Sequence, residues 1–161
     1  MLTEAFGRIA ELYTSVAEGL DEEALAHRPD GTGNSIGWLL WHLARVQDDH
    51  VADLADQPQV WETWQDRVGL PNGTDDIGFG HSSEQVDAVR IGDLDALVAY
   101  HHEVTLATAR YLETVDDREL EREVDQRWDP PVTAGVRLVS IIGDCLQHLG
   151  QAAYVKGLLQ S

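Results

Sequence analysis

An aspartate and a histidine four residues apart, Asp144 and His148, are the residues of this sequence best suited to chemistry. On an α-helix this spacing places both side chains on one face, one turn apart, where they can bind a single ion. The neighbours on that face are apolar, which indicates that it turns inward: Leu138, Ile141, Cys145, Ala152 and Val155. His42 lies in the apolar stripe of another predicted helix. A buried carboxylate costs free energy unless it is paired or bound to a metal. One metal bound by all three side chains would offset the desolvation cost of each.

Two imidazoles and one carboxylate suit one divalent metal with an open fourth position. Zinc is the first expectation, with iron or nickel as alternatives. Water or a substrate thiol would occupy the open position, and the charge of the metal would lower the pKa of that ligand. Spacing alone leaves other interpretations open. An Asp and a His four residues apart often form a weak surface pair, and a single His on an apolar face is often a hydrogen-bonded core residue.

Four segments show the period of an amphipathic helix and must position these side chains. They are residues 1–20, 34–55, 94–115 and 133–159. Asn34 or Ser35, Asp93 and Thr133 are suitable caps for the last three helices. No segment shows a clear strand period, and residues 21–33 and 116–125 are polar connections. The sequence therefore predicts an all-α protein, a four-helix bundle with a long crossover between its second and third helices, in a single domain of residues 1–161.

The crossover, residues 56–90, is rich in glycine and proline and is expected to be irregular. It contains two tryptophans, Trp61 and Trp64, and several other apolar residues. We therefore expect it to be ordered, to pack over one end of the bundle and to form part of a pocket wall, since long connections are often functional.

Composition excludes several classes of function. The 161 residues carry 11 Lys and Arg against 29 Asp and Glu, a net charge of −18, so binding to nucleic acid or to an anionic membrane surface is not expected. No apolar run approaches the roughly 20 residues that span a bilayer, and no signal peptide is evident. Cys145 is the only cysteine, so no intrachain disulfide can form, and a cytoplasmic protein is expected. Exposed helix faces are compatible with a homodimer.

Two motifs resemble the DinB-like superfamily, which includes mycothiol-dependent maleylpyruvate isomerases and mycothiol or bacillithiol S-transferases. One is SIGWLLWHLARVQD at residues 35–48 and the other is DCLQHLGQ at residues 144–151. The resemblance extends over nearly the whole chain. Residues 78–82 (GFGHS) and 130–133 (PPVT) are similar to a subfamily whose function is unknown. The resemblance implies an up-down-down-up bundle and a metal bound by His42, Asp144 and His148. Many members have a histidine where this chain has Asp144, which bears on the identity and affinity of the metal.

Further residues are candidates for contacting a substrate. His81 lies in the glycine-rich part of the crossover, where a loop could fold over a metal pocket, and His101 lies in the inward stripe of the third helix. Gln151 is close enough to His148 to orient it or a bound ligand. Arg45 and Arg137 could hold a substrate carboxylate, although surface ion pairs are the simpler interpretation. His50 lies about 12 Å along the helix from His42, too far to share one ion.

The resemblance favours a metal-dependent S-transferase that joins a low-molecular-weight thiol such as mycothiol, as co-substrate, to an electrophilic small molecule. Two alternatives need the same three residues. One is a non-catalytic protein that binds a metal or small ligand, and the other is a metal-assisted hydrolase in which water replaces the thiol. The sequence does not separate them.

Overall fold

Four long helices form the protein in a computed structural model that describes residues 1–160. They are α1 (Leu2–Ala17), α3 (Ile36–Ala55), α6 (Leu94–Leu112) and α8 (Ala134–Leu159). The side chains of Ser35, Asp93 and Thr133 accept hydrogen bonds from backbone N–H groups in the first turns of α3, α6 and α8. Each cap therefore satisfies a donor that has no partner within its helix, and the predicted starts of these helices are confirmed.

The helices run up, down, down and up. Helix α3 is antiparallel to α8, because Cys145 lies against the carbonyl of Leu43 whereas Arg137, earlier on α8, approaches Asp53. Helix α6 runs parallel to α3, with Thr108 bonded to Gln47 and the earlier Tyr100 beside the carbonyl of Ala44. The ends of α1 and α8 meet, where the ammonium of Lys156 donates to the carbonyls of Ser15, Val16 and Glu18. The predicted all-α fold is confirmed.

Helix α3 is the central element of the bundle. It packs against both α6 and α8 and is covered on its remaining sides by the shorter elements, so every residue from 35 to 48 is buried. This explains why its apolar residues do not form a narrow stripe. Polar groups on α3, including His42, Arg45 and Asp48, are consequently held inside the protein and need partners there.

The crossover is ordered and packed, but the prediction that it is irregular was wrong. It contains α4 (Trp61–Val68) and α5 (Ser83–Ala88). Helix α4 has no cap of its own; its first N–H groups, those of Val60 and Trp61, donate to the carboxylate of Asp48 on α3. The apolar side chains of the crossover pack on the bundle, and several are buried: Trp61, Val68, Leu70, Val86 and Val89.

Four small elements also differ from the prediction. The polar connections contain the single-turn helices α2 (Glu22–Ala26) and α7 (Asp117–Glu121). A short antiparallel ladder joins β1 (Glu123–Asp125) to β2 (Val132–Thr133), which no strand period in the sequence had indicated. Strands of two or three residues are too short to show an alternating pattern. Among the described residues, no helix is both long and apolar enough to cross a membrane.

Candidate metal centre

The structure brings together the side chains of His42, Asp144 and His148. One candidate ligand atom from each lies within 4.8 Å of the other two. The Nε2 atom of His148 is 3.6 Å from Oδ1 of Asp144, and the centroids of the two imidazole rings are 4.8 Å apart. The i, i+4 pair on α8 therefore faces the histidine of α3 across the seam between these two helices.

The ring of His42 is oriented by a hydrogen bond to the backbone. Its Nδ1–H donates to the carbonyl of Ile77 in the crossover, and its face stacks on Trp38 with ring centroids 4.5 Å apart. Because Nδ1 carries the proton of this bond, Nε2 keeps its lone pair on the side of Asp144 and His148. Burial is the main cause that lowers the pKa of His42, so the ring is neutral at pH 7, the form that binds metals.

The ring of His148 is oriented by its own helix. Its Nδ1–H donates to Oε1 of Gln151 over 2.7 Å, which directs Nε2 towards Asp144. The carboxylate of Asp144 is the main cause that raises the pKa of His148. A hydrogen bond from the second nitrogen is the usual way in which a metal-binding histidine is oriented, and both rings of this site have one.

One oxygen of Asp144 has no partner. Its Oδ2 atom is buried and makes no hydrogen bond to the described residues. Burial raises the pKa of this carboxyl, but His148, His42 and His50 together outweigh that effect and the net pKa is lowered. A buried, ionised oxygen without a donor costs at least about 1–3 kcal/mol, and a cation held by the two imidazoles would remove this cost.

The donor set fits one divalent metal. Two imidazole nitrogens and one carboxylate leave a coordination position for an outside ligand, the arrangement of catalytic zinc and of ferrous sites. The side chain of Asp144 is 34 % exposed and that of His148 is 15 % exposed, whereas His42 is buried. A small molecule can therefore approach the group from the α8 side.

Two predicted substrate contacts lie beside the three ligands. Gln151 bonds to His148, as described above. His81 accepts a hydrogen bond from Nε1 of Trp38 at Nδ1, donates from Nε2 to Asp76 over 2.8 Å, and stacks on Trp41. Both of its ring nitrogens are therefore engaged within the protein.

Arg45 and Trp61 lie in a buried polar network behind the site. The guanidinium of Arg45 is fully buried and donates to Asp48, Tyr100, Gln59 and the carbonyl of Thr74. Its planar group also lies 5.0 Å from the ring centroid of Trp61, which is itself buried. These contacts tie the crossover to α3 and α6.

The other three candidates are not brought to the metal ligands. Trp64 is half-buried under the guanidinium of Arg67. Arg137 lies 3.7 Å from Asp53 and 3.8 Å from Asp125, two turns before Asp144. His101 is buried in the seam between α1 and α6, where it stacks on Tyr13 with ring centroids 3.8 Å apart. A cavity of about 1070 Å³ lies between α3, the end of α6 and α7, and neither Trp61 nor Trp64 lines it.

The support of the His42 ring was not predicted from the sequence. Gly78 has a φ of +89°, and a Cβ there would lie 2.9 Å from Trp41 and 3.0 Å from Nδ1 of His42, so only glycine lets the chain pass this closely. The Gly-x-Gly pattern of residues 78–80 was a signal for such an approach. The acceptor itself is the backbone carbonyl of Ile77, which no residue type marks.

Comparisons with known proteins identify a similar fold and a family. A crystal structure of a conserved protein from Enterococcus faecalis is similar, with a TM-score of 0.85 and 29 % sequence identity over 96 % of this chain and 92 % of that one. No curated protein matches. The family model described as mycothiol-S-transferase matches residues 1–161. The predicted resemblance to the DinB-like superfamily is thus confirmed, and the chain belongs to the mycothiol-S-transferase family.

Proposed function

We propose that this protein transfers a low-molecular-weight thiol to an electrophilic small molecule, using one divalent metal held by His42, Asp144 and His148. Mycothiol is the thiol that we expect. The observation that carries the proposal is the partnerless buried oxygen of Asp144, which faces two oriented imidazoles. Membership of the mycothiol-S-transferase family supports the choice of thiol. Zinc is the metal that we expect, because the donor set and the open position suit it.

The residues prepare the site in three ways. The bonds from Nδ1 of His42 and of His148 fix both rings with their Nε2 atoms towards one point. Asp144 supplies negative charge, which offsets part of the charge of a bound cation. The buried ring of Trp38, which contacts both imidazoles, excludes water from one side and so strengthens electrostatic interactions. A bound metal would lower the pKa of a thiol and thus supply a thiolate at neutral pH.

The transfer itself is a substitution. The thiol loses its proton to solvent, which reaches the site beside the partly exposed Asp144. The sulfur then forms a bond to the electrophilic carbon of a haloarene, and the carbon–halogen bond breaks with release of halide. Neither oxidation nor reduction is involved, so no further co-reactant is needed.

The test incubates the zinc-loaded protein with mycothiol and an activated haloarene and measures the thioether by mass spectrometry. We expect formation above the uncatalysed rate, with loss of that excess in His148→Ala. Glutathione and cysteine in place of mycothiol report the thiol specificity. Zinc binding without any excess thioether would contradict the transferase and favour a non-catalytic binding protein. Release of halide with a hydroxylated product would favour the hydrolase.

A further inference from the structure

The 76–81 loop of the crossover crosses α3 at the metal centre. Its Ile77 carbonyl accepts the Nδ1–H of His42, and its Gly78 packs against Trp38, Trp41 and the same imidazole. Among the described residues, the Ile77 carbonyl of this loop is the only hydrogen-bond partner of Nδ1 of His42. What holds the loop in place also decides which nitrogen of His42 carries the proton.

A single carboxylate holds this loop. Oδ1 of Asp76 accepts from the backbone N–H of Gly78 over 3.0 Å and from Nε2 of His81 over 2.8 Å. Its Oδ2 accepts from the side-chain amide of Asn72 over 2.7 Å. The residues bonded by Asp76 stand on both sides of Ile77, so the carboxylate fixes the peptide unit that presents the carbonyl.

We propose that Asp76 is a positioning residue of the metal centre. It holds the Ile77 carbonyl against His42, which keeps the proton of the neutral ring on Nδ1 and leaves Nε2 free to face Asp144 and His148. In water a neutral histidine side chain favours the proton on Nε2, so the required form needs a fixed acceptor at Nδ1. Hydrogen-bond partners of metal-binding histidines typically change metal affinity by 10- to 100-fold.

The neighbouring Asp75 provides a matched control. It carries the same charge one residue earlier, its side chain is exposed, and it makes no hydrogen bond or ion pair with the described residues. Substitution of Asp75 by Asn therefore changes the net charge of the protein as much as Asp76→Asn does, without touching the loop bonds.

The experiment compares Asp76→Asn, Asp75→Asn and the wild type in two measurements. Calorimetric zinc titration should show about tenfold or greater loss of affinity in Asp76→Asn and no comparable loss in Asp75→Asn. NMR of the ¹⁵N-labelled metal-free protein should show the His42 proton on Nδ1 in the wild type and in Asp75→Asn, and a shift towards Nε2 in Asp76→Asn. A merely structural role of Asp76 would lower the melting temperature without moving this proton.

Asn72→Ala serves as a milder variant should Asp76→Asn not fold. It removes only the bond to Oδ2 and should change the affinity and the proton position in the same direction by a smaller amount. An unchanged His42 proton and unchanged zinc affinity in a folded Asp76→Asn or Asn72→Ala protein would overturn the proposal. The metal-free NMR measurement stands apart from the proposed function. A wild type that binds no zinc would end that function, and the proton position would still decide the role of Asp76.

Discussion

Two buried histidines on long helices of this protein have different surroundings. His42 in the seam between α3 and α8 has a backbone acceptor behind its ring and a carboxylate and a second imidazole in front. His101 in the seam between α1 and α6 stacks on Tyr13, and its Nε2 makes no hydrogen bond to the described residues. Burial, and after it the neighbouring His102, lowers the pKa of His101 to about 3.

The difference shows what separates a ligand from a core histidine. Both residues lie on inward helix faces, so helical periodicity treats them alike. Only His42 faces a carboxylate and an imidazole from a second helix and has one nitrogen fixed by a hydrogen bond. The α3–α8 seam therefore holds a group of three side chains that could bind a metal ion, whereas the α1–α6 seam is closed around an uncharged ring.

The largest effect that we expect is stabilisation by the metal. A ligand present at about 100 times its Kd stabilises the folded state by about 2.7 kcal/mol, which for this chain length raises the Tm by about 5 to 10 °C. Thermal melts of the wild type in zinc and in chelator measure this. His148→Ala, which should bind zinc at least tenfold more weakly, should lose at least about half of this difference. Equal melting temperatures of the wild type in zinc and in chelator would contradict a metal site between α3 and α8.

The second prediction concerns acid and the α1–α6 seam. The unfolded chain takes up a proton on His101 near pH 6.5, but the folded protein does so only near pH 3, so acid favours unfolding in this window. One such group costs up to about 1.4 kcal/mol per pH unit, and about 2.5 kcal/mol between pH 6 and pH 4, because the unfolded chain is already partly protonated at pH 6. His101→Phe keeps a ring on Tyr13 and should lose that much less stability over this range in denaturant titrations. An equal loss of stability in both proteins would show that solvent can protonate His101 in the folded state.

Much of the fold was predictable because its signals are local. Ser35, Asp93 and Thr133 cap helices within three residues of their own position, and the spacing of Asp144 and His148 describes one face of one helix. Such signals depend only on neighbouring residues and survive in a single sequence.

The rest of the site depends on contacts between distant residues. Helix α4 is capped by Asp48, twelve residues before Val60, so its start carries no local signal. The interior position of Arg45 depends on Tyr100, 55 residues away. The acceptor of His42 is a backbone carbonyl. No residue type or spacing in the sequence predicts such contacts, because they form only once the chain is folded.

The third prediction removes the metal ligands one at a time. Alanine at His42, Asp144 or His148 should each weaken zinc binding at least tenfold, which corresponds to about 1.4 kcal/mol, because the three act on one ion. Their losses should not add in double variants. Asp144→Asn should also weaken binding, since an amide supplies an oxygen without the charge. His50→Ala is the control and should leave the affinity nearly unchanged; additive losses would indicate three independent core residues.

The fourth prediction concerns the supports of the two histidines in the candidate metal centre. His42 is fixed by a buried carbonyl, but His148 is fixed by Gln151, an exposed side chain on the same helix. Water can replace an exposed acceptor, so the loss of this bond should cost about 0.5 kcal/mol, the low end for a hydrogen bond, or about a twofold loss of zinc affinity. Calorimetric titration of Gln151→Ala measures this, with Gln147→Ala as a matched control, because Gln147 is exposed one turn earlier and makes no side-chain bond to the described residues. A loss in Gln151→Ala as large as that in Asp76→Asn would mean that both rings depend equally on their acceptors, and that burial of the acceptor does not set the strength of the support.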